Sequence, residues 1–284
     1  MLYTSPIMRL LEYNIESGGF GSYDRTLTPP PERLDLIKET VSGAQADVVV
    51  FVDTYRWGNP EVFADNASLA REFGYRQAYQ ADLDDERLKA IGRDNGIAVL
   101  TREDARFETI RLGNRNAVKA SIRTAGSPLD IFAVYLDDLS EDVRLSQIRT
   151  LISHTDPAVP TIIAGDFNTL APVDTKGAKI RYGQILTRIP VSRAGNLFSI
   201  SEKIRNQKVI PYLESRGFTD TGATKRNPTA PTKKFHRLAF PILRLDYVMT
   251  KGTGPVRIAV IRNHITDRAS DHYPVLGNVE YPHG

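Results

Sequence analysis

Apolar residues along this 284-residue chain gather in short runs rather than long stripes. "RLLEYNI" (9–15), "DVVVFVD" (47–53), "GIAVLT" (96–101), "LDIFAVYL" (129–136), "PTIIAGD" (160–166), "RLDYVMT" (244–250) and "VRIAVI" (256–261) each have strand length. They are rich in β-branched residues and bounded by turn or helix signals. Three other segments repeat with helical spacing. "PPERLDLIKETVSG" opens with Pro and Glu, aligns Leu34, Ile37 and Val41, and closes at Gly43. "LSEDVRLSQIRTLI" offers Ser140 as a cap, two acids in its first turn, and Leu145, Ile148 and Ile152 on one face. "PEVFADNASLAREFG" reads as a third helix.

Strands outnumber helices, and several follow one another directly. "GIAVLT", "RFETIRL", "AVKASIR" and "LDIFAVYL" run in sequence like antiparallel neighbours, which excludes strict βαβ alternation. The pattern predicts an α+β fold in which a packed pair of mixed sheets carries helices outside. Residues 171–208 lack a clean period. No repeat or convincing linker divides the chain, so residues 1–284 read as a single domain.

Composition narrows the picture slightly. Hydrophobic residues make up 41% and charged residues 25%, as in an ordinary soluble protein. No stretch approaches the roughly 20 apolar residues of a membrane span, and "MLYTSPIMRLLEYNIES" does not read as a signal peptide. The absence of cysteine excludes disulfides and thiolate metal sites and fits a cytoplasmic location. Charge changes more. Residues 1–175 hold 18 Lys and Arg against 27 Asp and Glu, whereas residues 176–237 hold 14 against three. The basic segment favours polyanions, or else is a solvated surface.

Candidate chemistry lies at the ends of the apolar runs. "LLEYNIE" ends in Asn14 and Glu16, "DVVVFVD" in Asp53, and "TIIAGDFN" in Asp166 and Asn168. Residues two apart in a strand share a face, so Asn14 with Glu16 and Asp166 with Asn168 can each point at one site. "RLDYVMT" carries Asp246 within its apolar run, and "ASDHYPVLG" sets Asp271 beside His272. Each has a plainer explanation: Asp166 capping its own turn, Asp246 paired with Arg244, His272 as a structural histidine.

The order of these pieces resembles the endonuclease/exonuclease/phosphatase superfamily, the fold of DNase I, over nearly the whole chain. "YNIE", "ADVVVFVDTY", "GIAVLTR", "VYLDDLSEDVRLSQIRTL" with Arg144 and Gln147, "IIAGDFNT", "RLDYVMT" and "SDHYPV" follow the family's succession of motifs. The resemblance implies a DNase I-like four-layered α/β sandwich of two mostly antiparallel mixed sheets flanked by helices. It also implies a basic variable insertion at about 171–240. Glu16, Asp53 and Asp271 would then bind Mg²⁺ or Mn²⁺. Asp166 would orient or deprotonate water, and Asn168 would hydrogen-bond water or phosphate. His272 would contact the phosphate or act as base, with Asp246 fixing its tautomer. Asn14, Arg144, Lys233 and Lys234 would meet the substrate.

The chain departs from the family in two places. Asp53 stands where Glu is usual, and Tyr135-Leu136 stands where many members have His-Leu. Abasic-site endonucleases place Tyr there and also pair Asn with an acid two residues later, so Tyr135 becomes a candidate phosphate ligand or proton donor; a plain strand aromatic is the alternative. "TKRNPTAPTKKFHR" suits a phosphate backbone better than a neutral lipid. The expectation is a metal-dependent nuclease or phosphodiesterase acting on DNA or RNA. The alternatives are the same chemistry on a phospholipid or inositol phosphate, and a catalytically silent polyanion-binding module.

Overall fold

The structure, a computed structural model, describes residues 7–20, 30–124, 127–175, 201–222, 227–232, 241 and 243–280. Its strands are β1 (Ile7–Asn14), β2 (Val48–Val52), β3 (Gln77–Asp82), β4 (Gly96–Thr101), β5 (Ala105–Arg111) and β6 (Asn116–Thr124). They continue with β7 (Ser127–Tyr135), β8 (Thr161–Asp166), β9 (Thr219–Asp220), β10 (Asp246–Lys251), β11 (Val256–Val260) and β12 (Val275–Glu280). Two six-stranded sheets result, ordered β11-β12-β1-β2-β4-β3 and β5-β6-β7-β8-β10-β9.

Each described sheet has one parallel pair near its middle, β1 with β2 and β7 with β8, and antiparallel pairs elsewhere. Side-chain alternation sorts the strands into layers. Met8, Leu10, Val50, Ile131, Ala133, Ile162 and Ala164 fill the space between the sheets. Leu11, Tyr13, Val49 and Phe51 face outward from the first sheet, against Ile37 and Val41 of α1 (Pro30–Ala44) and Leu69 of α2 (Asn66–Phe73). Phe132, Val134 and Ile163 face outward from the second. They pack on Ile148 of α4 (Glu141–Ile152) and Leu213 of α6 (Val209–Ser215). Short helical turns occupy α3 (Glu86–Ala90), α5 (Pro172–Thr175) and α7 (Thr266–Ala269).

The four-layered, mostly antiparallel sandwich is therefore the architecture that the sequence implies. One helix is shorter than its pattern suggests. Of residues 60–74 only Asn66–Phe73 are helical, because Asp65 caps the start in a reciprocal pair with Ser68 and Gly74 ends the helix in a left-handed conformation.

Candidate active site

The two parallel pairs set up the site. In a parallel pair both carboxyl ends reach the same edge, so Asn14 ends β1 where Asp53 follows β2. Tyr135 ends β7 directly beside Asp166 at the end of β8. The antiparallel neighbour β10 begins at that edge, with Asp246 in register with Asp166. Gly165 makes the β7–β8 approach possible. At φ +148° its Cα faces the Val134 carbonyl so closely that a Cβ would lie 1.9 Å from that oxygen.

One half of the site is a hydrogen-bonded network. Asn14 Nδ2 donates to Asp166 Oδ2 at 3.0 Å, and Asn14 Oδ1 accepts from the Glu16 amide at 3.0 Å. Asp166 Oδ1 accepts from the Asn168 amide at 2.8 Å, while Asn168 Nδ2 donates to the Leu136 carbonyl. His272 Nδ1 lies 2.7 Å from Asp246 Oδ2, and the His272 amide donates to Ser270 Oγ. Burial disfavours a charged imidazole here, but Asp246, Asp271 and Asp166 outweigh it and hold the His272 pKa well above its ordinary value. Burial, followed by the Asp246 charge, lifts Asp166 to about 7. Burial also raises the Tyr135 phenol, and Asp53 and Asp166 raise it further.

The other half consists of carboxylates with little compensation. Glu16, Asp53 and Asp271 bear on one another electrostatically. Burial first, then Asp271, lifts Glu16 to about 8 despite Arg33; burial likewise raises Asp53. Arg33 approaches Glu16 Oε2 to 3.0 Å, but that oxygen accepts no hydrogen bond. Asn95 Nδ2 donates to Asp53 Oδ1. Glu16, Asp53 and Asn168 all have positive φ, at 37°, 61° and 51°, conformations held only where the surroundings over-determine them. Arg33 beside Glu16 and Arg93 near Asp53 only partly offset burial and mutual repulsion, and the hard oxygen donors of these acids fit a divalent cation such as Mg²⁺ or Mn²⁺. Asp166, Asp246 and His272 offer a second possibility: their ligand atoms all lie within 4.8 Å of one another.

The Endonuclease/Exonuclease/phosphatase family model matches residues 11–272. The chain belongs to this family. Its class of chemistry is therefore hydrolysis of phosphoester bonds, commonly with a divalent metal. A search of curated proteins finds no match. Among solved structures, a Bacteroides vulgatus endonuclease/exonuclease/phosphatase aligns with TM-score 0.66 at 15% identity, covering 98% of this chain and 100% of the other. The human Nocturnin catalytic domain with bound sulfate gives 0.64 at 15% identity over 98% and 94%. A humanised D. rerio TDP2 gives 0.58 at 13% identity over 96% and 99%. These likenesses show the shared fold. No helix among the described residues is long and apolar enough to cross a membrane.

The structure corrects one of the expected substrate contacts. Arg144 is not a surface cation awaiting substrate. It is fully buried, donating to Glu141 at 2.8 Å, Glu202 at 2.6 Å and the Asp137 carbonyl at 2.8 Å. Gln147, its partner in the family pattern, accepts from the Asp137 amide and donates to Asn114. Both brace the loop after β7. Arg244 pairs with Asp174 and Asp220, leaving Asp246 to His272. Lys233, Lys234 and much of the basic insertion lie outside the described residues.

The structure also brings in groups that sequence reasoning missed. Arg33 braces the Glu16 loop through the Ile15 and Glu16 carbonyls. Asn95, just before the "GIAVLT" strand, carried a signal only in its proximity to that motif. Lys203 is buried, with its pKa lowered to about 8, mainly by burial and by Arg144. Glu12 lies two residues before Asn14 on the inner face of β1, fully buried, with neither carboxyl oxygen hydrogen-bonded. Burial, with Asp246 and Asp166, holds its pKa well above the usual range.

Proposed function

We propose that this phosphoesterase is a divalent-metal-dependent phosphodiesterase that hydrolyses DNA or RNA. The observation carrying this reading is that polar strand ends from residue 14 to residue 272 meet at one edge, a hydrogen-bonded network beside under-neutralised carboxylates. Glu16, Asp53 and Asp271 would hold Mg²⁺ or Mn²⁺. The bound ion supplies positive charge for the developing oxyanion and the leaving oxygen.

The chain's own groups then divide the remaining work. Asp166, with a pKa near neutrality, takes the proton of the attacking water, and Asn14 fixes the carboxylate that does so. Asn168 donates to water or phosphate. Burial opposes the cationic form of His272, but Asp246, with Asp271 and Asp166, favours it. The imidazole therefore suits a phosphate contact through Nε2 better than a base. Tyr135 stays a phenol, and so can donate to a phosphate oxygen or protonate a leaving oxygen.

Three features favour nucleic acid as substrate: the Asn14–Glu16 spacing, Tyr135, and the excess of cations in residues 176–237. The test is a screen of plasmid, abasic DNA, single- and double-stranded oligonucleotides, RNA, phosphoinositides and sphingomyelin in Mg²⁺ and Mn²⁺. Cleavage of nucleic acid is expected. Hydrolysis of a phospholipid or inositol phosphate, with nucleic acids untouched, would replace this substrate assignment with the lipid one.

A further inference from the structure

Tyr135 stands where β7 ends and the chain turns away from the sheet. Four successive carbonyls there each accept from a side chain. Arg115 NH1 donates to the Tyr135 carbonyl at 3.2 Å and to that of Leu136, which also accepts from Asn168. Arg144 serves Asp137, and Lys203 serves Asp138 at 2.8 Å. Among these donors Arg115 also touches the aromatic ring: its Cζ lies 4.9 Å from the Tyr135 ring centroid. Arg115 is 2% exposed and therefore has little access to substrate.

Asp85 fixes the other side of that guanidinium. Its Oδ2 accepts from Arg115 Nε at 3.3 Å and NH2 at 3.2 Å, while its Oδ1 caps α3 through the Arg87 and Leu88 amides. Arg115 NH2 also donates to Asp138 Oδ1 at 3.0 Å. The planar fork thus meets two carboxylates, two carbonyls and an aromatic face. A lysine ammonium cannot reproduce that arrangement.

We propose that Arg115 is a positioning residue: anchored by Asp85, it fixes the backbone and ring of Tyr135 in the orientation used at the phosphate. The catalytic part of this inference rests on the role given to Tyr135 above. Misplacing a group near the chemistry by about an ångström can cost on the order of 10²-fold in rate. Arg115→Lys should therefore lower kcat substantially while leaving KM little changed.

The test uses the full chain with 3-fluorotyrosine placed at position 135 and read by ¹⁹F NMR, alongside kcat and KM on a fluorescein-labelled DNA oligonucleotide in Mn²⁺. Arg115→Lys should shift or broaden the resonance, and Asp85→Asn should do so more weakly. Arg111→Lys, an exposed arginine on β5, should leave it in place. In a Tyr135→Phe background, Arg115→Lys should cost no further kcat. If Arg115→Lys does not fold, Asp85→Asn carries the same readout. An unmoved resonance in the folded variants overturns the inference, whatever the substrate. A moved resonance with a fully active Tyr135→Phe keeps Arg115 as the anchor and instead removes Tyr135 from the proposed chemistry.

Discussion

The two halves of the candidate site satisfy their charges differently. Around Asp166, Asp246 and His272, each acid has a hydrogen-bond donor supplied by the chain: Asn14, the Asn168 amide, and the imidazole. Around Glu16, Asp53 and Asp271, compensation is incomplete. Glu16 Oε2 accepts no hydrogen bond, burial raises Glu16 and Asp53, and both residues sit at positive φ. The first half is held mainly by donors of the chain, although Asp246 Oδ1 accepts no hydrogen bond. The second leaves burial and mutual repulsion only partly offset by Arg33 and Arg93. Preorganised donors need no rearrangement during reaction, whereas crowded carboxylates repel one another until a counter-charge arrives.

The largest effect expected belongs to the organised half. Asp166→Asn should lower hydrolysis about 10²- to 10⁴-fold, the range for losing a general base, and His272→Ala about 10²- to 10³-fold, the range for losing a donor to the developing charge. Circular dichroism should show both variants folded. Near wild-type turnover in either one would remove the functional distinction between the halves.

In the other half, metal-free stability should depend on pH. Glu16 has a folded pKa of about 8 against an ordinary 4.5, so between these values the folded state binds more protons than the unfolded one. Stability should then fall as pH rises from about 4.5 towards 8, by on the order of a few kcal/mol. Glu16→Gln should flatten that slope in chemical denaturation. A slope that persists unchanged in Glu16→Gln would assign it to another group.

Mn²⁺ should raise the Tm most at the alkaline end of that window. Saturation at about 100 times Kd adds roughly 2.7 kcal/mol. The gain should shrink in Asp271→Asn and remain in His272→Ala. The reverse pattern would place the ion at Asp166, Asp246 and His272 instead. The smallest effect concerns Asp53→Glu: restoring the missing methylene should tighten Mn²⁺ binding several-fold, about 1 kcal/mol. Weaker binding by calorimetry would show that the left-handed backbone and the Asn95 contact already suit the shorter side chain.

Much of this was legible in the chain itself. The apolar runs located most strands to within two or three residues, though not β3 or β9, since burial on one or both faces leaves a period that sequence carries directly. "GDFN" shows how two readings can coexist: Asp166 does bond the Asn168 amide, as a turn residue would, and also accepts from Asn14. The third helix was less legible, because a local Asp65–Ser68 cap overrode the apolar pattern ahead of it.

Strand identity, the polar strand tips and the charge imbalance were thus set by the order of residues, because each depends on neighbours within a few positions. Tertiary structure alone decided which tips share an oxygen or a proton. It gave Asp246 to His272 rather than to Arg244 two residues away, and turned Arg144 from a candidate substrate contact into a buried brace. It also set Arg115 against Tyr135, and Glu12 beneath Asn14 without a partner. Those pairings depend on strand register and on packing between distant segments. The one-dimensional pattern constrains which face a residue takes, but not what it meets there.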